Sequence, residues 1–543
     1  MKSIDSSFDY DRLRHDFSLE CPANFNFAFD VLAKKAKSAE KNALICINRA
    51  GDHTESVSYQ KLDRYSSRCA NALLALGVAK SDTVLVVLPR WPEWYYLLFG
   101  CAKMGAIAMP GTNLLTAKDI EYRINRAEAK VAVVSETHAD AIEKIKENCP
   151  TLKHLIIVRD ERKGWYNFYK ICAASSENFD RSEAAETNAD DLILIYFTSG
   201  TTAMPKMVGR DHAYAFSHYI TQRYWQDLRS EDVHWTLTDT GWAKAAWGLL
   251  YPQILAGCSI ILYDGEGFDL EIHLKIIREH QVTTFCAPPT IYRLMAQADL
   301  SGADFSSLRH CFGAGEPLNP EAMRAWKKAT GCEIYDGYGQ TETINIVANF
   351  PGMEIRPGSM GKPCPGLIVD IIDDNGNVME DKEIGHIAVK ITDPYPPGLF
   401  RCYYKDDVKT AEVFRNGWYY TGDTAYRDTD GYIWFVGRSD DIISSSGYRI
   451  SPFEVESALI EHPAVIEAAV VAKPDEIRGS IVKAYLILSS VYEQSENLAK
   501  EIQDFVKQHS APYKYPREIE FVTSLPKTIS GKIRRVALRD SYK

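Results

Sequence analysis

The apolar run Leu192-Ile193-Leu194-Ile195-Tyr196-Phe197 breaks directly into Thr198-Ser199-Gly200-Thr201-Thr202-Ala203-Met204-Pro205-Lys206. An uninterrupted apolar run of this length leaves no face for water, which is the pattern of a strand buried on both sides. The loop that follows is made of hydroxyls and glycine and ends on one lysine. Backbone N–H groups in such a turn converge on phosphate oxygens, and the hydroxyls and Lys206 add further donors. The GxxxxGK[ST] pattern is absent, so this is not the phosphate loop of the common NTPases. Alone, a Ser/Thr/Gly cluster after a strand is usually an ordinary turn. Its meaning depends on the rest of the chain.

Short apolar runs at 84–88, 131–134, 155–158, 259–263 and 283–286 read as further buried strands, and helical patterns at 59–76 and 139–148 separate them. That alternation predicts an α/β fold of parallel sheets covered by helices on both faces. Residues 94–109 are apolar but interrupted by Gly100, Lys103 and Gly105. They fall short of the roughly 18 clean residues a membrane span needs, and are expected to form a buried helix. After about residue 365 the texture turns to short strands, with Asp373-Asp374-Asn375-Gly376-Asn377 an evident hairpin turn. From Arg438 onward an α+β region is expected, with strands near 467–472, 481–488 and 518–523 and a helix near 497–509.

Composition excludes some classes. With 543 residues, 45% hydrophobic and 25% charged, the chain has the makeup of an ordinary globular protein of more than one domain. A net charge of −11 argues against nucleic acid as a partner. Twelve cysteines lie singly, with no CxxC pair, which reads as reduced thiols and neither a disulfide framework nor a zinc site. The start of the sequence has neither a signal-peptide core nor an Arg-rich, acid-poor bias, so a cytoplasmic location is expected.

Four more segments follow the first loop in order. They are Asp336-Gly337-Tyr338-Gly339-Gln340-Thr341-Glu342; Tyr420-Thr421-Gly422-Asp423; Gly437-Arg438-Ser439-Asp440-Asp441, running on to Ser446-Gly447-Tyr448-Arg449; and Pro526-Lys527-Thr528-Ile529-Ser530-Gly531-Lys532. Together with 198–206 the series resembles the adenylate-forming superfamily of acyl-CoA synthetases, peptide-synthetase adenylation domains and luciferases. Ser445-Ser446-Gly447-Tyr448-Arg449-Ile450 and Ala511-Pro512-Tyr513-Lys514-Tyr515-Pro516-Arg517 resemble its medium-chain acyl-CoA synthetase branch. The resemblance implies an adenylation domain over 1–438 with a small β-rich subdomain, and a mobile C-terminal domain over 439–543 turning about Asp440.

The chemistry it implies is ATP-dependent activation of a carboxylic acid, followed by transfer to coenzyme A. Attack of a carboxylate on the α-phosphorus brings two anions together, so the site must neutralise charge and fix geometry. By resemblance Lys532 is the essential cation, and Ile533-Arg534-Arg535 beside it add attraction for polyphosphate. Acetylation of Lys532 would delete that charge and is expected as a possible off-switch. Glu342, with the Thr198 hydroxyl, would hold Mg²⁺, a hard cation suited to carboxylate and phosphate oxygens. Asp423 resembles the carboxylate that grips both ribose hydroxyls. Arg438 and Arg449 match arginines on ribose and phosphate. Tyr338 offers a face to adenine, and Gly313-Ala314-Gly315-Glu316-Pro317 the other side. The remaining ATP positions are Ser199, Gly200, Thr201, Thr202, Lys206, Asp336, Gly337, Gly339, Gln340 and Thr341.

For thioester formation the resemblance assigns Ser446, Gly447 and Tyr448 to pantetheine and Arg478, Tyr515 and Arg517 to the CoA nucleotide. Two positions depart from the pattern: Ala203 stands where the loop usually has glycine, and Leu114 where the branch often has a polar CoA contact. Acetyl-CoA synthetases carry tryptophan at the position of Gly339, so glycine there argues for an acid longer than acetate. Trp242, Lys244 and Trp247 are expected to crowd the same acyl pocket, leaving short-to-medium, branched and aromatic acids open. The alternatives are an enzyme loading a carrier protein, an acetate–CoA ligase, a luciferase-like oxygenase and a non-catalytic ATP-binding module. The last would lack the motif lysine or glutamate, and both are present.

Overall fold

The computed structural model describes residues 9–38, 41–183, 186–198, 204–300, 302–316, 318, 320–445, 448–476, 478–511, 513–528 and 532–540. Two large sheets lie back to back over one apolar core. In the strand Thr83–Val87, Val84 and Val86 enter that shared core while Leu85 and Val87 pack under outer helices. Ser259–Tyr263 does the same from the other sheet, with Ile260 and Leu262 inward and Ile261 and Tyr263 outward. A strand covered on both faces has no polar side to alternate with, which is why these segments read as continuous apolar runs.

The first large sheet is seven-stranded and parallel apart from the edge strand Met207–Asp211, which returns antiparallel beside Leu192–Phe197. The second is nine-stranded, and in it His310–Ala314 and Ile334–Gly339 run parallel side by side. A five-stranded antiparallel sheet follows, built on Gly385–Lys390, Trp418–Arg427 and Ile433–Arg438. The turn expected at 373–377 is present, closed by the Asp373 N–H on the Asn377 carbonyl at 2.9 Å.

The C-terminal part has a core of its own. Val465–Asp475 and Gly479–Leu488 pair antiparallel, Glu518–Phe521 joins in parallel, and the helices Pro452–Ile460 and Glu496–His509 cover them. Val455, Leu459, Val470, Leu486, Ile502 and Val506 form that core.

One expectation is corrected. The single helix over 94–109 is a helix, Pro92–Met104, followed by a strand, Ile107–Pro110. Gly105 takes φ +77° and caps the helix in the left-handed conformation, an ending that glycine adopts without steric cost. Among the described residues no helix is long and apolar enough to cross a membrane, and each of the twelve cysteines is a free thiol.

Candidate active site

A cavity of about 1000 Å³ opens where the loops after these strands meet the C-terminal part. The antiparallel return at the edge of the first sheet sets Lys206 opposite Thr198. The Thr198 N–H donates to the Lys206 carbonyl at 3.0 Å and the Lys206 N–H to the Thr198 hydroxyl at 3.2 Å. The Lys206 ammonium donates to the Tyr403 hydroxyl at 3.0 Å, and that hydroxyl donates to Glu342 Oε1 at 2.8 Å. Burial pulls the Lys206 pKa down, and the Glu342 charge opposes it. Burial first, then Glu342, pushes the Tyr403 hydroxyl far up, so it remains a donor.

Glu342 is only 8% exposed. Its carbonyl accepts from the Phe400 N–H and from the buried Arg210 guanidinium, each at 2.8 Å. Arg210 also lies over the Tyr214 ring at 3.6 Å and donates to the Gly398 carbonyl. The loop bearing Glu342 is therefore fixed from beneath. Sequence reasoning missed Tyr403 and Arg210. An arginine inside the buried strand Met207–Asp211 was a usable signal, because a buried guanidinium needs acceptors; Tyr403 lies in no motif.

The strand Trp418–Arg427 supplies Asp423, 5% exposed. Tyr338 Oη and Gln340 Nε2 each donate to Asp423 Oδ2 at 2.6 Å, and an Arg438 nitrogen stands 3.3 Å from Oδ1. Gln340 is held in turn by Tyr419, whose hydroxyl donates to Gln340 Oε1 at 2.9 Å. Tyr338 thus contributes its hydroxyl to the carboxylate as well as an aromatic ring to the cavity. Burial and then Asp423 drive its pKa well up, which keeps the proton on Tyr338.

His310–Ala314 and Ile334–Gly339 deliver Gly315, Glu316 and 336–340 to one wall. Gly315 takes φ +101°, a conformation that favours glycine. Asp336 is buried, and burial raises its pKa well above the usual carboxylate range. Gly337 is glycine for space: a Cβ would fall 2.6 Å from the Trp225 ring.

Gly339 lines the cavity and is also glycine for space. A Cβ there would lie 2.4 Å from the Ile344 carbonyl oxygen and 3.1 Å from Asn345 Cα. The close approach of its own hairpin, Ile334–Gly339 to Asn345–Ala348, therefore favours glycine whatever acid is bound. Trp242, Lys244 and Trp247 are half-buried and do not line the cavity. Trp247 packs 5.3 Å from Trp225, the ring beneath Gly337, and the Lys244 ammonium lies 5.5 Å from the Trp247 ring centre. Lys244 therefore rests on an aromatic face, and forms no ion pair among the described residues.

Lys532 is exposed and lines the cavity from the C-terminal side. Its segment folds back on itself. Lys527 bridges Ile533, the Thr528 N–H donates to the Lys532 carbonyl at 2.7 Å, and the Lys532 N–H donates to the Thr528 hydroxyl at 3.1 Å. Asp440 is exposed, its Oδ1 3.8 Å from Arg438. Among the described residues, the nucleotide positions Thr198, Lys206, Gly315, Glu316, 336–341, Asp423 and Arg438 are brought together here with Lys532; Tyr448, Arg478, Tyr515 and Arg517 are not. Tyr448 stacks on Tyr513 with ring centres 4.3 Å apart, Arg517 donates to the Tyr515 hydroxyl at 2.9 Å, and the Arg478 N–H donates to Asp475 at 2.8 Å. None of them lines the cavity. Ser199, Gly200, Thr201, Thr202, Ala203, Pro317, Ser446, Gly447 and the Arg449 side chain lie outside the described residues.

No group of three or more His, Cys, Asp or Glu that could hold a metal occurs among the described residues. Mg²⁺ does not need one, since it keeps water and substrate phosphates around one or two carboxylates. Glu342 fits: Tyr403 occupies Oε1, while no hydrogen bond to Oε2 occurs among the described residues.

Comparison with known proteins agrees with this geometry. Residues 32–404 match the AMP-binding enzyme family and 454–532 the AMP-binding enzyme C-terminal domain. Acyl-coenzyme A synthetase ACSM3, mitochondrial, of Rattus norvegicus is 44% identical, covering 98% of this chain and 93% of its own. Acyl-coenzyme A synthetase ACSM4, mitochondrial, of Homo sapiens is 46% identical, over 96% and 91%. Among solved structures, the anthranilate CoA ligase AuaEII in complex with anthranoyl-AMP superposes with a TM-score of 0.89 at 33% identity, covering 96% of this chain and 98% of that one. The benzoate CoA ligase from Burkholderia xenovorans LB400 does so at 0.83 and 28%, over 95% and 100%. The relatives' mitochondrial names overturn the expected cytoplasmic location. Free thiols report a reducing compartment, and the cytosol is not the only one.

Proposed function

From the premise that this chain belongs to the AMP-binding enzyme family and is an AMP-forming acyl-CoA synthetase, we propose that its acid is a short-to-medium-chain, branched or aromatic carboxylate and that Lys532 activates it. ATP and coenzyme A are the co-substrates. The observation that carries the reading is the meeting of Lys206, Glu342, Asp423 and Arg438 with Lys532 around one cavity.

In the first step a carboxylate oxygen attacks the α-phosphorus, the bond to the β-phosphate oxygen breaks, and acyl-adenylate and pyrophosphate result. Asp423, held by Tyr338 and Gln340, has its acceptor oxygens set for the ribose hydroxyls. Lys206 and Lys532 bring positive charge to the phosphates, where charge develops in the transition state. Glu342 and Thr198 would hold Mg²⁺, whose chemistry is to neutralise the polyphosphate. In the second step the CoA sulfur attacks the acyl carbon, the bond to the phosphate oxygen breaks, AMP leaves and the thiol proton passes to solvent.

Tyr448, Arg478, Tyr515 and Arg517, the described CoA positions, stand away from the cavity, which supports a division at 1–438 and 439–543 with rotation about Asp440 between the steps. Proline fixes φ. Asp440→Pro should therefore keep adenylate formation and lose thioester formation, and normal thioester formation would remove the hinge. The reaction is tested by pyrophosphate release with ATP, CoA and a panel from acetate to decanoate, with isobutyrate and benzoate. Release with acetate alone would reject the longer acid, and release independent of CoA with transfer to a carrier protein would favour the carrier-loading alternative. The relatives' names support a mitochondrial location for this protein; a cytosolic signal on fractionation of the native source would count against that.

A further inference from the structure

The helix Pro289–Gln297 belongs to the large N-terminal part and turns Arg293 into the cavity, on the side facing the C-terminal part. Arg293 is half-buried and forms no ion pair within 4 Å among the described residues. Two carboxylates line the same cavity, Glu467 on the C-terminal strand Val465–Asp475 and Glu316 on its own side, and both act on its charge, Glu467 the more. Burial opposes them and lowers its pKa. A guanidinium partly out of water gains from any carboxylate that closes on it, because the attraction is little screened there.

Glu467 is tied to the catalytic segment. Its carboxylate takes the Lys527 ammonium at 2.8 Å. Lys527 forms the base of the fold-back by bridging Ile533, and the Arg534 N–H on the Pro526 carbonyl at 2.8 Å closes it behind Lys532. On the C-terminal side a chain therefore runs from Glu467 to Lys527 and through the backbone pairing to Lys532, and Arg293 shares the cavity with Glu467 across the boundary. Lys532 itself is exposed, so its position over the cavity depends on how this turn is held.

We propose that Arg293 is a positioning residue for adenylation, engaging Glu467 across the boundary and so holding the Lys527–Ile533 turn that carries Lys532 over the cavity. The proposal rests on the reading of Lys532 as the adenylation lysine. When the C-terminal part rotates for thioester formation, Glu467 leaves Arg293 and the attraction is released. Arg293 therefore biases the adenylation arrangement without being needed in the other.

The test separates the two half-reactions. In Arg293→Gln, adenylation measured by ATP–pyrophosphate exchange should fall about tenfold in kcat with the KM for ATP nearly unchanged. Thioester formation from supplied acyl-adenylate and CoA should stay at the unmodified rate. Arg293→Lys should recover most of the loss, and Glu467→Gln added to Arg293→Gln should cost less than the two single losses combined. Equal losses in both half-reactions would mean a structural role, and a raised KM for ATP with unchanged kcat would mean direct nucleotide contact; either overturns the proposal. Lys532→Ala run in parallel separates the premise: if it spares adenylation, the Lys532 reading fails, whereas a selective Lys532→Ala with silent Arg293→Gln refutes only the positioning role.

Discussion

The corner around Asp423, proposed as the ribose seat, and the segment of Lys532 line one cavity and are built in opposite ways. Asp423 is buried and held by Tyr338, Gln340 and Arg438, with Tyr419 fixing Gln340 behind it. Lys532 is exposed and its turn is closed mainly by its own backbone. A group that binds the nucleotide in every state gains from a fixed seat, because nothing has to be ordered when the ligand arrives. A group needed in only one half-reaction must be able to leave, and each side-chain anchor would oppose that.

Removing Lys532 should do most. Lys532→Ala should cost ~3 kcal/mol or more of barrier, roughly a hundredfold, in adenylation alone. Pyrophosphate exchange and thioester formation from supplied adenylate are the two measurements, and equal loss in both would deny the turn a state-specific role.

Acid should attack the fixed side. His234 and His310 are buried in the second large sheet, and burial lowers each from 6.5 to about 4. The unfolded chain binds these protons near pH 6.5 while the folded chain refuses them until about pH 4. Their contribution is thus whole above 6.5 and is lost as pH falls through that window, on the order of 3 kcal/mol per histidine at most. Urea midpoints at pH 7 and pH 5 check this; no difference would mean that buried histidines do not limit the large domain.

Gly339→Trp sharpens the comparison by asking how rigid the fixed side is. With a Cβ 2.4 Å from the Ile344 carbonyl oxygen, the hairpin must shift, at a cost of ~1–3 kcal/mol in stability. The thermal midpoint should fall and nucleotide binding weaken for all acids alike. A well-folded variant that merely shifts preference from hexanoate to propionate would show that the acyl chain passes Gly339.

Tyr403→Phe should do least. It removes one hydroxyl between Lys206 and Glu342, worth ~1 kcal/mol or about fivefold in KM for ATP. A loss as large as that of Lys532→Ala would show Tyr403 acting directly on the reaction.

The local signals that reached furthest were those that need no partner. Buried strands announced themselves as apolar runs because both faces meet hydrophobic neighbours, and the α/β class followed from their alternation with helices. Lys206, Asp423 and Lys532 could be named as candidates because each sits in a recognisable run of neighbours, and the fold brings them to one cavity. Where the sequence misled, the missing fact was a distance between segments far apart in the chain. At Gly339 the demand of its own hairpin became visible only once Ile344 was placed against it, and the run at 94–109 read as one helix although Gly105 ends it and a sheet position waits for the residues beyond. Tyr403, Arg210 and Arg293 carry no motif at all. What they can do depends on what lies opposite: for Tyr403 a carboxylate, for Arg210 a carbonyl, and for Arg293, as proposed, an acidic residue on a C-terminal strand. Sequence alone determined the chemistry available and the class of fold that holds it; which charge faces which was decided only by the packing that brings distant segments within a few ångströms.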